Sequence, residues 1–181
     1  GYNADAVHPG LNTYLCRDEV FKKFGFENFY SDKDFENPTV VGNYISDDDA
    51  ANKIIEIYEK HKKENPENPY FAFMTTIESH YNFDIDNYIE TFGSYPIEVT
   101  TPNEMDEENA EMIKGYTQYV HDTDAMIGKL TDYFKEQDRD VIFIVFGDHL
   151  PAIGENFTAY YEGGYINKDD PMNESDFNSE V

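Results

Sequence analysis

Residues 141–151 read VIFIVFGDHLP. Val141, Ile142, Phe143, Ile144, Val145 and Phe146 run without a polar break, and four of these six are β-branched. Such a run predicts a strand buried on both faces, as in the parallel sheet of an α/β protein. It stops at Gly147, with Asp148 and His149 next. Open α/β sheets place their sites just beyond the carboxyl ends of strands. A carboxylate and an imidazole side by side on a rigid strand end can both ligate one divalent cation. Gly147 is expected to give a tight exit that brings both side chains to one opening. Taken alone, Gly-Asp-His also reads as an ordinary turn after a core strand.

Working outward, the 3.6-residue apolar period before this run predicts a long amphipathic helix from Asp106 to about Gln137, with Tyr119, Met126 and Leu130 on its stripe. His121, Asp122 and Asp124 fall off that stripe and read as exposed. Residues 70–77, YFAFMTTI, predict a second buried strand, followed by Glu78, Ser79 and His80. Before it, Ser46 followed by Asp47, Asp48 and Asp49 reads better as a capped helix start than as an acidic metal cluster. That helix is expected to run to about Lys63. A helix leading into a strand is one step of a parallel sheet. Residues 81–105 lack periodicity and predict a long loop. At the amino end, Ala4 to Val7 predict a short strand ending at His8, which alone is equally an ordinary loop histidine. Residues 13–24 predict a short helix with Leu15, Val20, Phe21 and Phe24 on one face, stopped by Gly25. Arg17 on that helix can offer its planar fork to a phosphate, or pair with a neighbouring carboxylate such as Glu19. Phe26, Phe29, Tyr30 and Phe35 read as an aromatic core or cover in a loop-like segment.

The 181 residues suffice for one domain with a real core. The formal net charge of −25, from 38 acidic and 13 basic residues, argues strongly against a phosphate-backbone partner and so against a nucleic-acid role. It also argues against broad adhesion to anionic lipid. Fifteen Tyr and 14 Phe are too many for a disordered acidic chain. The single Cys16 excludes an internal disulfide and a cysteine-rich zinc site.

The predicted strand ends thus carry His8, His80 and the Asp148–His149 pair, with Arg17 nine residues after the first. This constellation resembles the lipoteichoic acid synthase and phosphoglycerol transferase branch of the sulfatase and alkaline phosphatase superfamily. The matches are HPGLNTYLCRDEVFKKFGFENF (8–29), TTIESHYNF (75–83) and VIFIVFGDHLPAIGEN (141–156). The resemblance implies a partial alkaline-phosphatase-like α/β/α sandwich with a mainly parallel sheet. Residues 1–156 would be the C-terminal portion of the catalytic domain, and 157–181 a polar, flexible continuation. It implies metal ligation by Asp148 and His149, manganese foremost, with magnesium or zinc as alternatives. It implies glycerol-phosphate binding by Arg17 and His80, and by His8 near the same pocket. The family's threonine nucleophile and glutamate ligand lie before the matched region. By itself this stretch is therefore expected to be inactive, with its metal weakly bound or absent. Leu15 stands where the family often has an aromatic residue.

The implied activity is transfer of glycerol phosphate from phosphatidylglycerol to a polyol or glycan acceptor, at the extracellular face of a bacterial cell membrane. Attachment would come through transmembrane helices upstream of this chain. Two further readings stay open: a sulfatase or phosphodiesterase hydrolase of the same superfamily, and a non-catalytic acidic α/β binding module.

Overall fold

The computed structural model describes residues 1–80, 83–102 and 104–166. Tyr81 and Asn82 of the TTIESHYNF match and residues 167–181 of the expected continuation lie outside the described residues. The chain packs as two units: Gly1–Ser79 with Asp122–Glu136, and His80–His121 with the described part of Gln137–Val181.

The first unit is built on β1 (Asn3–Val7), the middle of a parallel sheet ordered β2-β1-β5. β2 (Asn28–Tyr30) pairs Ala6 with Phe29, and β5 (Tyr70–Met74) pairs Ala6 with Phe73. A strand flanked on both sides has its backbone groups satisfied, so small and β-branched side chains can be fully buried. Ala6 and Val7 are. Val7 meets Ala51, Ile54 and Ile57 of α2 (Asp47–Glu64) and Met126 and Leu130 of α4 (Glu107–Lys135), which together form the core. Burial of each large aliphatic side chain stabilises the fold by about 1.5–3 kcal/mol. The start of α2 follows the sequence: Ser46 Oγ accepts from Asp49 N at 3.2 Å, satisfying one orphan amide of the first turn. A short antiparallel pair, β3 (Val40–Val41) and β4 (Tyr44–Ile45), precedes that cap.

Several expectations for this unit need correction. The helix expected over 13–24 starts only at Arg17, as α1 (Arg17–Phe24), after a 3-10 turn at Tyr14–Cys16. Leu15 and Cys16 there take left-handed φ values of 53° and 54°. The change of direction leaves Leu15 and Phe24 exposed, and Phe21 alone of the expected face is buried. Phe21 packs on Phe26, Phe29 and Phe73 at centroid distances of 5.2, 5.0 and 5.9 Å, so the aromatic segment is core as expected but contains β2. β5 ends at Met74 instead of Ile77 and leaves Phe71 and Ala72 exposed, because it is the outer strand of the described sheet.

The second unit holds α3 (Ile85–Phe92), the first half of α4, a 3-10 turn at Glu155–Phe157 and α5 (Thr158–Glu162). α3 falls where a loop was expected. Asp84 caps it, accepting from Asn87 N at 3.0 Å, and Tyr88 is buried against Tyr119. A Cβ at Gly115 would stand 2.4 Å from the Phe83 carbonyl oxygen, so a glycine lets that backbone lie directly on α4. Asn109 donates to Thr158 Oγ1 and Glu162 Oε2 at 3.1 and 2.8 Å, which ties α5 to α4. The segment after 156, read as a flexible continuation, thus begins as a bonded helix.

The buried strand expected over 141–146 is overturned. No strand forms there, and Ile142, Ile144 and Phe146 are 89%, 76% and 68% exposed. A strand buried on both faces needs paired neighbours. The second unit, to which this run belongs, contains no strand among its described residues. No described helix is long and apolar enough to cross a membrane.

Candidate functional site

In the first unit, β1 delivers His8 directly from its carboxyl end, with His8 N bonded to the Tyr30 carbonyl at 2.9 Å. The imidazole is 1% exposed, and its Nδ1 lies 3.0 Å from the Thr75 carbonyl oxygen. A carbonyl only accepts, so Nδ1 carries the hydrogen and Nε2 presents a lone pair. Nε2 has no hydrogen-bond partner among the described residues. A Cβ on Gly10 would come within 2.6 Å of it, so the glycine keeps space open beside that nitrogen. Burial lowers the His8 pKa, with the Arg17 charge acting in the same direction and the Thr75 hydrogen bond and Asp32 opposing. The ring is held neutral and ready to accept a hydrogen bond or a metal. Arg17, the first residue of α1, is half-buried with its guanidinium 5.5 Å from the centre of the Tyr14 ring, a cation–π distance. His8 and Arg17 are therefore brought together at the carboxyl end of β1.

In the second unit, His80, Asp148 and His149 are exposed. His149 N donates to Asp148 Oδ1 at 2.9 Å, which turns the carboxylate back toward its own neighbour. His149 Nδ1 donates to the Leu150 carbonyl at 2.9 Å, leaving the lone pair on Nε2. That nitrogen stands 3.6 Å from Asp148 Oδ2. Two ligands each about 2.1 Å from a common tetrahedral ion stand about 3.4 Å apart, so these atoms fit one divalent cation. The rings of His80 and His149 lie perpendicular with centroids 6.3 Å apart, so this unit gathers three of the expected site residues. Among the described residues no group of three or more His, Cys, Asp or Glu is placed to hold a metal. Gly147 does not have the role expected of it: it takes no left-handed φ, and a Cβ there would meet nothing within 4 Å.

Three residues near these elements carry no motif. Asp47 and Glu78 are fully or almost fully buried at 0% and 2% exposure, and Thr123 Oγ1 donates to Asp47 Oδ2 at 2.7 Å. Sequence reading placed Asp47 among solvated dipole carboxylates and gave Glu78 no role. The one available signal was Glu78's place immediately after an apolar strand and two residues before His80.

The family model for Sulfatase matches residues 1–177, and the chain belongs to that family. Its relatives include lipoteichoic acid synthases, which places it in the alkaline phosphatase superfamily. A lipoteichoic acid synthase of Staphylococcus aureus (strain USA300) is 27% identical over 98% of this chain and 26% of its own length. A Rhizobium meliloti (strain 1021) protein assigned to cyclic beta-1,2-glucan modification is 28% identical over 92% of the chain and 24% of its own length. The chain thus spans about a quarter of these curated relatives. Among solved structures, the lipoteichoic acid synthase LtaP of Listeria monocytogenes aligns with a TM-score of 0.59 and 26% identity, over 75% of this chain and 30% of that one. The Streptococcus pyogenes phosphoglycerol transferase GacH, solved with sn-glycerol-1-phosphate, aligns with a TM-score of 0.69 over 90% of this chain and 41% of that one. At 24% identity that likeness speaks for the fold.

Proposed function

We propose that this chain is the metal-ligand and phosphate-binding portion of a phosphoglycerol transferase, moving glycerol phosphate from phosphatidylglycerol to a polyol or glycan acceptor. The observation that carries the reading is the 3.6 Å pairing of Asp148 Oδ2 with His149 Nε2, on the tautomer that leaves a lone pair on that nitrogen. Asp148 and His149 are the ligands of a divalent cation, Mn2+ foremost. When bound, that ion supplies Lewis-acid polarisation of a phosphoryl oxygen and lowers the pKa of a nucleophilic hydroxyl. Arg17 offers two parallel donors to the phosphate. His80 offers a ring N–H to a phosphate oxygen, and the neutral His8 Nε2 offers an acceptor to a glycerol hydroxyl. A threonine outside these residues is the attacking group: its oxygen bonds to the phosphorus of phosphatidylglycerol as the bond to diacylglycerol breaks and that alcohol takes up a proton, and the acceptor hydroxyl then displaces the threonine, which regains a proton.

The S. aureus and L. monocytogenes lipoteichoic acid synthases support a polyol-phosphate acceptor, and the R. meliloti relative supports a glycan. In this reading the transfer takes place at the outer face of a bacterial cell membrane, with anchoring segments outside this chain. The sulfatase family as a whole favours hydrolysis as the second reading. Incubating the full-length protein with phosphatidylglycerol and manganese, with and without a glycan or polyol acceptor, separates the two. Transfer predicts phosphoglycerol on the acceptor. Free glycerol phosphate as the sole product, whatever acceptor is present, would establish the hydrolase.

A further inference from the structure

The turn between β5 and His80 is tied to the first residue of α2 by a reciprocal pair of hydrogen bonds. Asp47 N donates to Glu78 Oε2 at 2.5 Å, and Glu78 N donates to Asp47 Oδ1 at 3.3 Å. The Thr123 hydroxyl of α4 closes the other side by its bond to Asp47 Oδ2 at 2.7 Å. Each carboxylate thus satisfies the backbone of the other's residue, at 0% and 2% exposure. Two acidic side chains are a costly way to fill a core, because desolvation disfavours their charged forms. An apolar pair would close the same gap without that cost but could not hold either amide. The observed pair fixes the position of Glu78 against a rigid helix end, and His80 follows two residues later.

We propose that the Asp47–Glu78 clamp is a positioning device for His80, fixing the turn that presents this imidazole to glycerol phosphate without touching the substrate itself. The proposal rests on the reading above that His80 contacts that ligand. The groups that face Glu78 are carboxylates: Asp47 from α2 and Asp122 from α4. Burial first, then these two charges, push the Glu78 carboxyl up to about 8, opposed by the Asp47 amide hydrogen bond. Oε2 already accepts from the Asp47 amide, and a side-chain hydrogen bond to Asp122 also favours the protonated carboxyl. Ionisation would add negative charge beside Asp47 and Asp122 and lose the hydrogen bond to Asp122, and the clamp then loosens.

The test measures the affinity of the full-length protein for sn-glycerol 1-phosphate by calorimetry from pH 6 to pH 9.5, in wild type, Glu78→Gln, Glu78→Ala and His80→Ala. Gln keeps the acceptor oxygen and cannot ionise, so it mimics the protonated acid. The expectation is wild-type affinity for Glu78→Gln near pH 6.5. Wild type should then weaken by about tenfold relative to Glu78→Gln as the pH passes about 8. Glu78→Ala should be weaker by about tenfold or more at every pH. Superimposable pH profiles for wild type and Glu78→Gln, with His80→Ala weakened, would overturn the clamp and leave the substrate reading standing. Unchanged affinity in His80→Ala would overturn the substrate reading, and the clamp's purpose with it. Where Glu78→Ala fails to fold, the comparison of wild type with Glu78→Gln decides.

Discussion

His8 shows how a buried polar atom can be arranged for use. Its Nδ1 hydrogen goes to Thr75, its Nε2 is left as a buried acceptor, and Gly10 leaves room beside it. An unmet buried acceptor costs about 1–3 kcal/mol, which a bound hydroxyl would offset. The pKa of His8 is lowered from 6.5 on folding, so below that pH the unfolded chain takes up a proton that the folded one resists. Its contribution to stability is full above pH 6.5 and is lost as pH falls toward the lowered folded value. Glu78 runs the other way. Its pKa is raised from 4.5 to about 8, so folding holds a proton that the unfolded chain releases, and stability falls as pH rises through that window. Thermal melts should therefore show Glu78→Gln gaining on wild type between pH 5 and pH 8, and His8→Gln losing less than wild type between pH 6.5 and pH 5. Parallel melting curves across both ranges would show that neither group is held as described. None of this could be read from the sequence, because His8 and Thr75 are 67 residues apart and Asp47 and Glu78 are 31 apart.

At the scale of elements, local signals were legible and burial was not. The stop of α1 at Gly25 and the cap of α2 by Ser46 depend on a few adjacent residues and appear as expected. The Val40–Ile45 hairpin and the three-residue β2 are too short to show a period. The apolar run 141–146 carries the composition of a core strand, but composition cannot supply a neighbour to pair with. Asp148 and His149 nevertheless follow it as an adjacent pair, with His149 Nε2 3.6 Å from Asp148 Oδ2. An exposed run of this kind, without proline or charge, is an aggregation hazard. In the 181-residue chain, Ile144→Lys should change folding stability by no more than about 0.5 kcal/mol in a urea titration and slow aggregation measured by light scattering. A loss of several kcal/mol would show that Ile144 is packed after all.

For the whole molecule, the fold class and family were visible because the motifs around His8, His80 and Asp148–His149 follow one another along the chain in the order the family resemblance requires. The parallel sheet, the sulfatase match over residues 1–177 and the alkaline-phosphatase-type neighbours agree with that reading. Division of the chain into two units puts His8 and Arg17 on one and His80, Asp148 and His149 on the other. The account stands most directly on the cation that Asp148 and His149 are proposed to hold. Manganese-dependent release of diacylglycerol from phosphatidylglycerol by the full-length protein, compared with Asp148→Ala and His149→Ala, measures it. The account predicts a loss of more than about a hundredfold in each variant, since Lewis-acid catalysis supplies several kcal/mol of the barrier reduction. Wild-type rates in either variant would contradict it.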